Sequence, residues 1–221
     1  MLLVRCAGLL LLGLLPAVAA AQAAATAADG FAVLRGGDTV AVESFTREPV
    51  ELSGTLLRGT SAGTGDRVKY HAVLVEDESA PLVELSAWRR DDPERSSARQ
   101  TSRIIFKDDS VAVDDMTGSG LRTVVLPTER AAIPYLNLSI AFLELATRRA
   151  AASAAADSVR MPFFNLSGGQ TVVGSVRRLG SDSALVSLGT VEFRLKVDAH
   201  GRILGGTLPA QGLRIVRLGA S

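Results

Sequence analysis

Gly59-Thr60-Ser61-Ala62-Gly63 spells the pattern G-x-S-x-G. In a hydrolase that pattern exposes a serine on a sharp strand-to-helix turn, above an oxyanion hole. Its chemistry is hydroxyl attack on an acyl group, with a nearby base taking the proton. The candidate bases are the two histidines, His71 and His200. Thr64-Gly65-Asp66-Arg67 follows the motif and leads into another β-type run, so the helix that the elbow needs is missing. The stretch reads as a hairpin loop, and its glycines would hold a nucleophile loosely. His71 sits within a β-run beside Lys69, and His200 sits in a turn beside Gly201. Serine hydrolysis therefore ranks third among the functions considered. No catalytic residue is assigned, and the chain is not expected to be an enzyme.

Acid pairs recur at Asp91-Asp92, Asp108-Asp109 and Asp114-Asp115. Paired carboxylates serve glycosidases or bind calcium. These pairs lie at strand ends without EF-hand spacing, so they read as solvated turn residues. With two histidines and no recognisable ligand spacing, no metal and no cofactor is expected. Asn137-Leu-Ser139 and Asn165-Leu-Ser167 match the glycan acceptor pattern by chance. Aromatics are scarce, which argues against a sugar-stacking surface. Trp88, Phe142, Phe163 and Phe164 are the candidates to line an apolar pocket between sheet and helix.

The elements that would position these residues are mostly strands. Gly36-Gly37-Asp38 separates two β-runs, 31–35 and 39–46, and signals a hairpin. Further runs occupy 50–58, 67–76, 82–90, 99–107, 110–114 and 121–126. After residue 156 come 159–165, 170–179, 184–188, 190–198, 202–208 and 212–218. The cleanest alternation is Val191 to Asp198, where Val191, Phe193, Leu195 and Val197 share one face. In 67–76, Val68, Tyr70, Ala72 and Leu74 share a face while Val73 and Val75 load the other, which predicts a strand covered on both sides. One helix is expected, at about 134–152, with Pro134 at its first position. It is apolar almost all round and so should be buried. Glu144 and Arg148 form an i,i+4 pair on it. Asp38-Thr-Val-Ala-Val-Glu43 echoes Asp109-Ser-Val-Ala-Val-Asp114, which reads as repeated hairpin chemistry.

The first residues concern address. Arg5, the leucine-rich run 9–15, Pro16 and the small residues after it have the layout of a secretory signal peptide, cut near Ala19 or Ala21. The apolar run is too short to span a bilayer, so no transmembrane segment remains after cleavage. Residues 1–21 are thus read as signal, 22–29 as a flexible leader, and 30–219 as a single β-rich domain. Cys6, the one cysteine, leaves with the signal, so a disulfide and a thiol nucleophile are excluded from the mature chain. The loss of Arg5 balances the basic residues against the 23 acids. Neutral balance argues against a nucleic-acid partner.

Gly36-Gly37-Asp38-Thr39-Val40-Ala41-Val42-Glu43 and Val197-Asp198-Ala199-His200-Gly201-Arg202 resemble the turns of a loose group of uncharacterised exported bacterial β-rich proteins. In architecture these are similar to periplasmic lipoprotein-carrier half-barrels, where a helix packs into the concave face. The resemblance implies a mainly β fold: a strongly curved antiparallel sheet or open barrel with one buried helix. It assigns no functional residue. The leading expectation is an exported, soluble, non-catalytic binding or carrier protein for an apolar small molecule or lipid. The alternative is a structural or interaction protein of the cell envelope.

Overall fold

The computed structural model describes residues 29–59, 65–93, 95–153 and 157–219. The signal segment 1–21, most of the leader, and Ser61 with its neighbours lie outside the described residues. The described residues form fifteen strands, one α-helix and one 3₁₀ turn. The strands are β1 (Asp29–Arg35), β2 (Asp38–Glu48), β3 (Glu51–Arg58), β4 (Asp66–Val73), β5 (Leu82–Arg89), β6 (Gln100–Phe106), β7 (Ser110–Thr117), β8 (Gly120–Pro127) and β9 (Ile133–Tyr135). After the helix α1 (Ile140–Ala152) come β10 (Ser158–Asn165), β11 (Gln170–Arg178), β12 (Ser183–Leu188), β13 (Val191–Val197), β14 (Ile203–Leu208) and β15 (Leu213–Leu218).

All fifteen belong to one strongly curved sheet. Its order is β8-β7-β6-β5-β4-β3-β2-β1-β15-β14-β13-β12-β11-β10-β9. Neighbours are antiparallel, except that β9 runs parallel to β10. Each hairpin joins strands adjacent in sequence, and β1 pairs with β15 to bring the two ends of the described chain together. The sheet stays open between β8 and β9. This is the mainly β, open-barrel architecture with one helix that the resemblance implies.

Period-two patterning sets which side chains face inward. On β13, Phe193, Leu195 and Val197 are buried, and Glu192, Arg194 and Lys196 are exposed. Val68, Tyr70, Ala72 and Leu74 are buried together, as expected. The outer face of β4 is not covered, however: it carries Arg67, Lys69 and His71, and Val75 is exposed in the following turn. The expected echo also falls out of phase. Ala41 and Glu43 point inward, but on β7 it is Val111 that is buried, so Ala112 and Asp114 point outward. A one-residue slip turns every side chain to the other face, so the two stretches do different jobs.

The helix starts at Ile140, six residues later than expected. Pro134 lies in β9, where an edge strand tolerates its missing N–H. Ser139 is the N-cap and accepts from the Phe142 amide at 3.4 Å. Leu138, just before it, has φ +67. The helix is buried on most sides, packing against β2, β9, β10, β11 and β14.

Its start is fixed by a residue 97 positions away in sequence. Glu43 on β2 is buried, and one carboxylate oxygen accepts from the Ile140 and Ala141 amides at 2.7 and 2.9 Å. The other accepts from Ser139 Oγ at 2.5 Å and from the Tyr70 hydroxyl at 2.9 Å. A carboxylate at a helix N-terminus meets unpaired amides and the positive end of the dipole. Burial pushes the Glu43 carboxyl above its usual range, and its four donors pull against that without cancelling it. The same contact and burial hold the Tyr70 hydroxyl well above its ordinary value. Gly54 leaves room for this hydroxyl: a Cβ there would run into it and into the Ser44 carbonyl.

Candidate functional site

The helix fills one part of the concave face. Beside it a cleft of about 430 Å³ opens between the inner faces of β4–β8 and the β10–β11 turn. It sits where the sheet fails to close. Pairing register orders its wall in rows across the strands. One row is Leu85, Ser102, Asp115 and Arg122, with Gln100 one step toward the sheet's rim. The next row in the other direction is Val83, Ile104, Val113 and Val124. Val113, Val124, Leu126, Phe164 and Leu166 line the apolar end of the cleft. Arg58, Asp66, Gln100, Ser102, Asp115 and Arg122 line the polar end. The volume lies within the range of small-molecule sites, which are commonly apolar with a few placed polar groups.

The polar end is organised by hydrogen bonds. Arg58 forks onto Asp66, with Nε to Oδ1 at 2.8 Å and Nη2 to Oδ2 at 2.5 Å. Asp115 Oδ1 accepts from Ser102 Oγ and from Gln100 Nε2, the latter at 3.0 Å. Arg122 is the Cα partner of Asp115 across β7–β8. Among the described residues the Arg122 side chain nevertheless makes no hydrogen bond or ion pair.

The four aromatic candidates are dispersed. Phe164 lines the cleft, fully buried at its base and edge-on to Phe106 at 5.5 Å. Phe142 and Phe163 are core residues, Phe142 against Tyr70 at 4.9 Å. Trp88 is on the opposite face of β5 from Leu85 and Ala87. Its ring lies under the Arg67 guanidinium at 5.1 Å and near Lys69, and its Nε1 donates to the Ser96 carbonyl at 2.9 Å. Three of the four therefore do not reach the cleft, because the largest rings went to the core or to a cationic outer surface. Strand parity was the signal that could have found Ser102, Asp115 and Arg122.

The histidines and acid pairs are scattered too. His71 lies on the outer face, 3.3 Å from Glu51 and 3.9 Å from Glu84. His200 is exposed in the turn after β13, its amide donating to Asp198 Oδ1 at 2.9 Å. Adjacent residues of a strand face opposite ways, so Asp114 accepts from Thr123 outside while Asp115 faces the cleft. Asp92 holds Arg99, and Asp108 holds Arg130. No group of three metal-ligating side chains occurs among the described residues.

A second concavity, about 400 Å³, is lined mostly by charged groups, five of which (Asp29, Glu144, Arg148, Arg202 and Arg217) are already joined to one another. Glu144 is buried and accepts from Arg148, from Arg217 Nη1 at 2.7 Å and from the Ile203 amide at 2.8 Å. Arg217 and Arg202 also bind Asp29. Asp29, expected in the loose leader, thus begins β1. Burial would raise the Asp29 carboxyl, but the two guanidiniums hold it below its usual value. Gly201, with φ +75, lies against the Thr147 carbonyl, and Thr147 Oγ1 donates to the Gly201 carbonyl at 2.6 Å. These contacts fasten the β13–β14 hairpin and β1 to the helix, which makes this concavity a structural joint.

No helix among the described residues is long and apolar enough to cross a membrane. No family model matches the chain, and no curated protein matches it. Two solved structures align with the chain. A DUF1089 family protein from Pseudomonas aeruginosa aligns with TM-score 0.54 at 15% identity, over 77% of this chain and 90% of that one. A β-barrel-like protein of DUF1849, a domain of unknown function, from Brucella abortus aligns with TM-score 0.45 at 9% identity, over 86% and 96%. The chain shares its fold with the first.

Proposed function

We propose that this protein is an exported, non-catalytic carrier whose cleft holds a single amphiphilic small molecule or lipid. The observation that carries this reading is the cleft's layered wall: half-buried aliphatic side chains at one end, and a hydrogen-bonded polar set at the other. Such a wall stabilises an apolar body by removing it from water and fixes its orientation at the polar end. The signal-like first 21 residues and the neutral balance of the remainder support export without a nucleic-acid partner. A fluorescent apolar probe tests the reading. It is expected to bind the wild type and to lose binding in Ala87→Trp, where an indole enters the cleft. Equal binding by both proteins, each folded, would sink the proposal.

The free edge of β8 favours a second reading, an interaction protein of the envelope. Eight residues form this edge, and Leu121 and Val125 on its outer face are 63% and 65% exposed. An unpaired edge can accept a strand from another protein. Val125→Lys would weaken such pairing and leave probe binding unchanged.

A further inference from the structure

Resting on the reading of the cleft as an amphiphile site, we propose that the bound molecule has a zwitterionic headgroup, an ammonium and a phosphate held side by side at Asp115 and Arg122. The two residues are register partners on β7 and β8, and both line the cleft. Directly opposed residues place their Cβ atoms about 5 Å apart. A two-carbon bridge between phosphate and ammonium covers that span.

The two charges do not quench each other. Asp115 is tied the other way, along its own row, by the Ser102 hydroxyl and the Gln100 amide. Both donors use Oδ1, and no hydrogen bond to Oδ2 occurs among the described residues. Arg122, for its part, retains its five N–H donors. At the far side of the polar end, Arg58 and Asp66 close on each other as a bidentate pair. The polar end therefore carries two cations and two anions, with one of each committed internally.

That arrangement discriminates among headgroups. A purely anionic head would gain Arg122 but lie beside the Asp115 carboxylate. A purely cationic head would meet the reverse. Like charges brought together in a half-enclosed site are penalised, and this penalty is a source of specificity. A zwitterion satisfies both side chains and leaves the neutral cleft neutral. The apolar tail then runs along Val113, Val124 and Leu126 toward Phe164.

The test uses four amphiphiles with one common tail: dodecylphosphocholine, dodecyl phosphate, dodecyltrimethylammonium and dodecyl maltoside. Each displaces the apolar probe from full-length mature protein, below its micelle concentration. Phosphocholine is expected to bind about tenfold tighter than either singly charged head, as one added charge–charge contact in a half-enclosed site implies. Arg122→Gln should bring phosphocholine down to the level of trimethylammonium. Asp115→Asn should bring it down to the level of dodecyl phosphate. Equal binding of all four heads, or tightest binding of the phosphate, the ammonium or the maltoside, overturns the headgroup proposal and leaves the cleft reading standing. Binding of none of the four overturns the cleft reading itself. The wild-type series decides both points without depending on how well either variant folds.

Discussion

Replacing Glu43 with alanine removes the acceptor from four donors at once. The Ser139 and Tyr70 hydroxyls can rotate toward other acceptors. The amides of Ile140 and Ala141 cannot, because they are fixed at the first turn of a buried helix. Each buried amide left unpaired costs about 1–3 kcal/mol, so the expected loss is about 4 kcal/mol for the pair. For a domain of this size, about 2–4 °C accompanies each kcal/mol, giving a fall in Tm of about 8–16 °C. Glu43→Gln keeps one acceptor oxygen and should lose about half as much. The pH dependence gives an independent sign. Burial raises the folded-state Glu43 carboxyl above its unfolded value. The stability it contributes is therefore complete below the unfolded value of about 4.5 and is lost as pH rises through the folded value. Glutamine does not titrate, so the wild-type advantage over Glu43→Gln should grow on acidification. Urea unfolding of both proteins across that range measures it. An advantage that shrinks on acidification would refute the raised folded-state value, and an alanine variant as stable as wild type would refute the claim that the Glu43 carboxyl holds the helix.

Three further outcomes follow from the same geometry. Gly54→Ala places a Cβ 2.6 Å from the Ser44 carbonyl oxygen and in collision with the Tyr70 hydroxyl, so denaturant unfolding should show a loss of about 1–3 kcal/mol, as for other overpacked sites. Asp29, held below 3.8 by Arg217 and Arg202, contributes stability that is present above that value and lost as pH falls through the lower folded one. Asp29→Asn should therefore be the less stable protein at neutral pH, with a gap that closes in acid-unfolding curves below about pH 4. Ala87→Trp should keep the wild-type far-ultraviolet spectrum while abolishing probe binding, since Ala87 lines the cleft.

Strand patterning was legible because alternation is local. The 190–198 run and the inward set Val68, Tyr70, Ala72 and Leu74 needed nothing beyond a period of two. The helix start was not legible, because its anion comes from Glu43 on β2. Pro134 misled for a physical reason: the same missing N–H suits a first helical turn and an edge strand. Asp29 gave no signal, since its partners Arg202 and Arg217 lie at the other end of the chain. The cleft shows a deeper limit. The sequence pointed to the large rings, but rings of that size went to the core in Phe142 and Phe163. Aliphatic and small polar residues were left to form the wall, and Ser102, Asp115 and Arg122 become neighbours only once register joins three strands.

Native mass spectrometry of protein purified from its own host tests the central claim most directly. The account predicts a wild-type peak carrying one bound small molecule, released on activation, with a phosphate and an amine in its fragments. The Ala87→Trp protein, prepared alongside, should fly without it. A wild-type protein that shows the bare polypeptide mass alone, or the same adduct retained by Ala87→Trp, would contradict the account.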